Sequence, residues 1–177
     1  MSKVVHLHKT AAPKELGVYI ITCSTSRYNE LKIGRKTSDT SGGIIEQLVL
    51  NAGHRVTSRD LIPDSKSRIQ RAARTALSSK KVDVLIITGG TGLSPNDVTI
   101  ETVSPLYQKE IIGFGEIFRK VSFDRIGSAA MLSRASAGLA KGKAIFCLPG
   151  SPDAVETAMK ELILPELGHI IKIGREQ

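Results

Sequence analysis

The residues best suited to chemistry are Gly89-Gly90-Thr91-Gly92, which follow directly on the apolar, β-branched run Val82–Thr88. Glycines let a backbone approach a ligand closely, and successive N–H groups in such a turn can converge on phosphate oxygens. Thr88 and Thr91 could add hydroxyl donors. No Gly-Lys-Ser/Thr follows, so this is not a Walker loop. Ser94 and Pro95 stand where a dinucleotide fingerprint wants its third glycine. A tight strand-to-loop turn with no ligand accounts for the four residues equally well.

Two carboxylates lie nearby in the pattern. Asp64 follows Pro63 just past a strand-like segment, and Asp97 closes Ser94-Pro95-Asn96-Asp97, beyond Gly92. Such a pair could hold Mg²⁺ against a polyphosphate, because Mg²⁺ takes one or two carboxylates together with phosphate oxygens and water. Each acid also precedes a helical stretch, so each could instead be a helix N-cap.

Pro149-Gly150-Ser151-Pro152 follows the last strand and precedes a helix, whose free N–H groups would suit an anion. A turn, an N-cap serine and a proline in the first helical turn explain the same residues structurally. Ser133 and Arg134 precede a hairpin; Arg134 could clamp a phosphate or serve as a surface ion-pair partner. The four histidines show no metal-ligand spacing, and no nucleophile triad is evident.

The elements that would position these residues alternate. Gly17–Cys23 reads as a buried strand and Ser24–Arg35 as a polar loop. Asp39-Thr40-Ser41-Gly42 supplies caps for a helix with Ile44, Ile45, Leu48, Val49 and Ala52 on one stripe, stopped at Gly53. His54–Ile62 reads as a strand. Asp64-Ser65 opens a helix with Ile69, Ala72, Ala73, Ala76 and Leu77 on one face. Thr99–Arg119 is expected to hold two helical pieces broken near Gly113. Ser133–Leu139 and Ala144–Leu148 should form a hairpin across Ala140–Lys143, and Val155 to Ile163 marks the last long helix.

This alternation predicts an α/β fold, a three-layer α/β/α sandwich with a mostly parallel central sheet and a hairpin. Residues 1–16 read as a flexible arm and residues 17–177 as one domain. Ligands in such sheets bind beyond the carboxyl ends of the strands. That rule selects the Ser24 loop, the Gly89–Gly92 loop and the Pro149–Pro152 loop.

Composition sets the remaining bounds. A chain of 177 residues favours one domain, and its net charge of +8 suits anionic partners. Much of the excess lies in Lys66, Arg68, Arg71, Arg74, Lys80 and Lys81, where a solvated helix face is the plain explanation. Nucleic acid is not an expected partner: no helix-turn-helix or zinc-finger spacing occurs, and the seven aromatics (four Phe, three Tyr) do not interleave with basic residues. Cys23 and Cys147 stand alone and read as buried free thiols. No signal peptide or membrane-length apolar run is evident, so a cytoplasmic location is expected.

Taken in order, these motifs resemble the MoaB/Mog family of molybdenum cofactor biosynthesis proteins over about Gly17 to Leu167. The resemblance rests on Asp39-Thr40-Ser41-Gly42, Ile62-Pro63-Asp64, Ile87-Thr88-Gly89-Gly90-Thr91-Gly92 and Asn96-Asp97-Val98-Thr99. It continues through Gly113-Phe114-Gly115-Glu116, Leu132-Ser133-Arg134 and Leu148-Pro149-Gly150-Ser151-Pro152, and it is nearest the MoaB branch. It implies a molybdopterin adenylyltransferase, which transfers AMP from Mg-ATP to the phosphate of molybdopterin and releases pyrophosphate. A non-catalytic molybdopterin carrier or scaffold of the same fold is the alternative.

By that resemblance, Asp64 and Asp97 match the family's acidic positions, with Mg²⁺ as their metal. Thr88, Gly89, Gly90, Thr91 and Gly92 match the nucleotide and pterin phosphate loop, and Ser133, Pro149, Gly150 and Ser151 match other walls of the pocket. A trimer or hexamer is implied, with apolar surface such as Ile111, Phe114 and Phe118 sheltered between subunits. Hand-over of the product to a molybdate-insertion enzyme is implied as well. One departure stands out: many members carry an acid near the end of the first strand, where this chain reads Ser24-Thr25-Ser26-Arg27. Some bacterial MoaB members lack the acid after the second strand, whereas Asp64 is present here, which favours an active enzyme.

Overall fold

The apolar run Gly17–Cys23 forms β1, and each of its residues is buried. Such a strand is covered on both faces, so its alternate side chains serve two cores. The computed structural model describes residue 13 and residues 15–176. The expected arm, residues 1–16, therefore lies outside the described residues apart from Pro13, Glu15 and Leu16. Leu16 is buried, and its carbonyl accepts from the Arg55 N–H.

After β1 come α1 (Thr25–Lys32), α2 (Thr40–Asn51), β2 (Arg55–Ile62), α3 (Lys66–Ser78) and β3 (Val84–Thr88). Next are α4 (Thr99–Val103), which runs into the 3-10 turn Ser104–Leu106, the short β4 (Lys109–Glu110) and α5 (Ile112–Ile126). A 3-10 segment, Gly127–Leu132, leads to β5 (Ser136–Ala140) and β6 (Lys143–Leu148). The chain ends in α6 (Pro152–Thr157), a π segment (Ala158–Ile163) and α7 (Leu164–Arg175), which follow without a break. Pro165 gives the π segment a cause: it has no N–H for the carbonyl four residues back, and a wider turn accommodates its ring.

The strands form one sheet in the order β2-β1-β3-β6-β5-β4. The first four are mutually parallel, and β5 and β4 add on antiparallel. Period-2 alternation divides the strand side chains between two cores. Val18, Ile20, Val84, Ile86, Ala144 and Phe146 face α2, α5 and the C-terminal helices. Tyr19, Ile21, Leu85, Ile87, Ile145 and Cys147 face α3 and α4. The expected three-layer sandwich is thus observed. Each fully buried Ile or Phe in these layers is worth about 1.5–3 kcal/mol over its exposed state.

The register aligns the site. Thr22 pairs with Thr88, and Thr88 with Leu148, while Cys23 pairs with Ile62. Four parallel strands therefore end together, and Ser24, Pro63, Gly89 and Pro149 leave from one edge of the sheet. Between β1 and β3 the chain turns to opposite sides, the topological position where ligands bind in open α/β sheets.

Three expectations about elements are corrected. Ser24–Arg35 is not a loop, because Thr25–Lys32 forms a helix in which no residue is buried. A helix without an apolar face leaves no periodic signal. No break occurs at Gly113, since α5 runs through both Gly113 and Gly115, and the break comes earlier, at Tyr107–Ile111. Gly115 is there for close approach: a Cβ would stand 2.7 Å from the Ala135 carbonyl at the start of the hairpin. The expectation that Phe114 and Phe118 wait for a neighbouring subunit also fails. Both are buried within the chain, Phe114 edge-on to Phe146. The hairpin turn does match its sequence, with Lys141 and Gly142 at φ 53° and 69°, the paired positive values of a tight two-residue turn.

Candidate functional site

A cleft of about 440 Å³ opens at the shared strand edge. The end of β1 contributes Cys23, Ser24, Thr25 and Ser26, and Asp64 enters after β2. The segment after β3 supplies Gly89, Gly90, Thr91, Gly92 and Asp97, while Pro149 and Gly150 close the wall after β6. Leu132, Ser133 and Arg134 complete it. The three loops picked out by the strand-edge rule thus converge on one cleft. Two expected site residues fall outside it. Thr88 is fully buried and donates its hydroxyl to the Pro149 carbonyl at 2.7 Å, so it ties two loops together. Ser151 faces a smaller neighbouring cavity of about 170 Å³, which shares Ser133 and Pro149 with the main cleft.

The glycine loop is shaped from beneath. Gly89 and Gly90 have φ of 92° and 63°, values that side chains rarely tolerate. A Cβ on Gly89 would fall on the Cys23 carbonyl. The Gly89 N–H extends the sheet by donating to the Leu148 carbonyl at 3.0 Å. Thr99, fully buried, donates its hydroxyl to the Gly89 carbonyl and its N–H to the Gly90 carbonyl. Among the described residues, nothing accepts the N–H groups of Gly90, Thr91 or Gly92. Three consecutive amides with unused donors, lining a cleft, form a cradle suited to phosphate oxygens.

The carboxylates flank that loop. Asp64 Oδ1 lies 2.7 Å from where a Cβ on Gly90 would stand, and Asp97 Oδ2 lies 2.8 Å from the corresponding point on Gly92. Neither acid caps the helix that follows it. The N-cap of α3 is Ser65, and that of α4 is Val98. Asp64 instead accepts the N–H and hydroxyl of Thr25, so it caps the unforeseen α1 from another strand. Asp97 Oδ2 accepts the Ser94 N–H at 3.0 Å and closes its own loop. One oxygen of each acid is engaged by backbone, and Oδ1 of each accepts no hydrogen bond among the described residues.

Positive charge reaches the rim. Arg134 lines the cleft and pairs with Glu101 on α4, the ion-pair role that the sequence also allows. Burial pushes the Glu101 carboxyl up, but the Arg134 hydrogen bond and charge, with help from Lys66, hold it below the usual range. Burial raises the Cys23 thiol to about 12, against some relief from a Thr99 hydrogen bond. A thiol so protonated is no nucleophile.

Residues outside the expected site, among them the expected cap Asp39, hold its walls in place. Ser41, buried near the start of α2, donates to the Gly150 carbonyl at 2.8 Å. Asp39 fixes that helix start by accepting from Gly42 N–H, Thr22 and Arg59. Ser41, Thr99 and Thr25 all lie within or beside motifs noted in the sequence, but which partner a hydroxyl meets across the fold leaves no mark there.

A broader depression of about 760 Å³ lies on α3 against Ser67, Gln70, Arg71 and Arg74. It is built on a single helix and its flank, away from the strand ends, with neither a glycine loop nor a carboxylate. The convergent chemistry belongs to the strand-edge cleft. No group of three or more His, Cys, Asp or Glu able to hold a metal occurs among the described residues. Two carboxylates beside a phosphate cradle nevertheless fit a cation that arrives with a polyphosphate and keeps water and phosphate ligands.

Residues 19–169 match the family model described as a probable molybdopterin binding domain. Molybdenum cofactor biosynthesis protein B of Bacillus cereus is 48% identical over 164 residues, covering 92% of this chain and 93% of that protein. The probable molybdopterin adenylyltransferase of Methanocaldococcus jannaschii is 42% identical over 163 residues, covering 92% and 96%. A crystal structure of a molybdenum cofactor biosynthesis protein B superposes with a TM-score of 0.85 at 47% identity, covering 94% of this chain and 99% of that one.

Proposed function

Because the chain belongs to the molybdopterin-binding family of molybdenum cofactor biosynthesis proteins, we propose that it is a molybdopterin adenylyltransferase. It transfers AMP from Mg-ATP to the phosphate of molybdopterin and releases pyrophosphate. The name of the archaeal relative supports this reading. The structural observation that carries it is the row of unused N–H groups at Gly90, Thr91 and Gly92, flanked by Asp64 and Asp97.

The reaction brings an anionic phosphate nucleophile to the α-phosphorus of ATP. Its barrier is largely one of positioning and charge, so the site needs no covalent nucleophile. The glycine-loop amides hold phosphate oxygens. Arg134 places a fixed positive charge at the rim, and Pro149, Gly150 and Ser133 shape the opposite wall. Asp64 and Asp97 would hold Mg²⁺ through their free Oδ1 atoms. When bound, the ion supplies charge neutralisation for the polyphosphate. Thr88 and Ser151 act on loop shape and on the neighbouring cavity.

The proposal extends to assembly and setting. Ile112, Phe123 and Ile126 on one side of α5 and Ile117 on another are each more than half exposed, and apolar surface of this kind suits burial in a homotrimer or paired trimers. Product hand-over to a molybdate-insertion enzyme follows from the family role. A cytoplasmic setting accords with the two free cysteines, both buried. No helix among the described residues is long and apolar enough to cross a membrane.

The test is pyrophosphate release from Mg-ATP. Release that requires molybdopterin and yields its adenylyl derivative is expected. Tight molybdopterin binding with no pyrophosphate or AMP transfer would make the chain a carrier instead.

A further inference from the structure

Thr25 is the first residue of α1, and it stands directly against Asp64 across the cleft floor. Its backbone N–H and its hydroxyl both donate to Asp64 Oδ2, each at 2.8 Å. The same hydroxyl oxygen accepts the Asp64 N–H at 3.0 Å. A threonine hydroxyl has one proton to give and lone pairs to accept with, so both bonds coexist. Together they fix the carboxylate relative to its own backbone. With Oδ2 held, the rotation of the carboxylate is set, and Oδ1 is left beside Gly90. The N–H bond alone would hold one oxygen but not tie it back to the Asp64 main chain.

We propose that Thr25 is a positioning residue for Asp64, its hydroxyl holding the carboxylate so that Oδ1 faces the metal-bound nucleotide at the glycine loop. This rests on the adenylyl-transfer reading of the cleft. Partners of this kind orient metal-binding groups, and losing one typically lowers metal affinity or activity by roughly 10- to 100-fold. A threonine that only starts α1 would behave differently. Losing its hydroxyl would cost some stability and leave metal and nucleotide binding alone, because the N–H that begins the helix remains.

The experiment compares Thr25→Val, which keeps shape and the N–H, with Thr25→Ser, which restores the hydroxyl. Binding of Mn²⁺ with a non-hydrolysable ATP analogue is measured by calorimetry, beside kcat, the thermal midpoint and molybdopterin affinity. Thr25→Val is expected to lose roughly 10- to 100-fold in Mn²⁺-nucleotide affinity and in kcat, with molybdopterin affinity unchanged and Thr25→Ser near the parent. Should Thr25→Val not assemble, Thr25→Ala makes the same comparison. Unchanged Mn²⁺-nucleotide affinity and kcat in the folded hydroxyl-free variant would overturn the inference, as would equal losses in Thr25→Ser. Asp64→Asn separates the two levels. If it is inactive while Thr25→Val is normal, only the positioning role falls; if it is fully active, the reading of the cleft falls.

Discussion

Thr99 donates its buried hydroxyl to the carbonyl of Gly89 at 2.8 Å, and its N–H to the next carbonyl at 2.9 Å. The start of α4 therefore holds the glycine loop from below. Thr99→Val keeps the shape but leaves the Gly89 carbonyl without that donor. An unsatisfied buried acceptor costs about 1–3 kcal/mol, and the thermal midpoint should fall accordingly. ATP affinity should fall with it, because the loop loses its support. A variant with unchanged midpoint and affinity would show that the loop holds its shape unaided.

Gly90→Ala acts at the same place by a different route. The position has φ of 63°, and the new Cβ would meet Thr99 Oγ1 at 2.6 Å and Asp64 Oδ1 at 2.7 Å. Left-handed backbone at a non-glycine residue costs on the order of 1–3 kcal/mol. Stability should therefore fall, and affinity for both ATP and molybdopterin should weaken because Asp64 and the loop are displaced. The contacts beneath Gly90 make binding and folding suffer together. Calorimetric titration alongside a melting curve checks this, and intact affinity for both ligands would reduce the loop to a plain turn.

Much of this was legible beforehand. The continuous apolar runs at Gly17–Cys23 and Val82–Thr88 mark central strands, the second observed as Val84–Thr88, and the strand-edge rule then leads to the cleft without any knowledge of contacts. Asp64 and Asp97 were visible as acids near that edge. The sequence leaves open whether each caps the helix after it; neither does, because a side chain's partner is set by what packs opposite it, and Thr25 lies 39 residues from Asp64. The helix α1 was missed for a related reason: with no buried residue it has no periodicity to read. Glycines in α5 looked like a break, yet Gly115 serves a close approach to Ala135 that only the folded chain brings about.

The cysteines should be chemically quiet. Burial raises Cys23 to about 12 and Cys147 to about 11, from an ordinary value of 9.0. Thiol-specific reagents should leave the folded protein unlabelled near pH 8 and label it on unfolding. These raised values also favour the native state below about pH 9, and that contribution is lost as pH rises through 11 and 12. Melting midpoints should therefore decline from pH 9 upward. Rapid native labelling would contradict the burial of both thiols.

Assembly is tested through α5. Ile117 is 51% exposed, and the negative charge introduced by Ile117→Glu should weaken a subunit interface while leaving the protomer core untouched. Light scattering should give three or six times the chain mass for the parent and a smaller species for the variant. A parent mass equal to one chain at every dilution would remove the proposed oligomer.

If Asp64 and Asp97 serve the nucleotide and its metal, AMP transfer in Asp64→Asn and Asp97→Asn must show it. Asparagine keeps the size and can still accept from Thr25 or Ser94, but it lacks the charge that Mg²⁺ needs. Adenylyl transfer should fall by roughly 100-fold or more in each, the order seen when one key electrostatic group is removed. Molybdopterin affinity should hold, since on the proposed reading the loop amides and Arg134 would take its phosphate, and the melting midpoint should move little. Full activity in both folded variants would contradict the assignment and leave the two acids as supports for α1 and for the loop after Gly92.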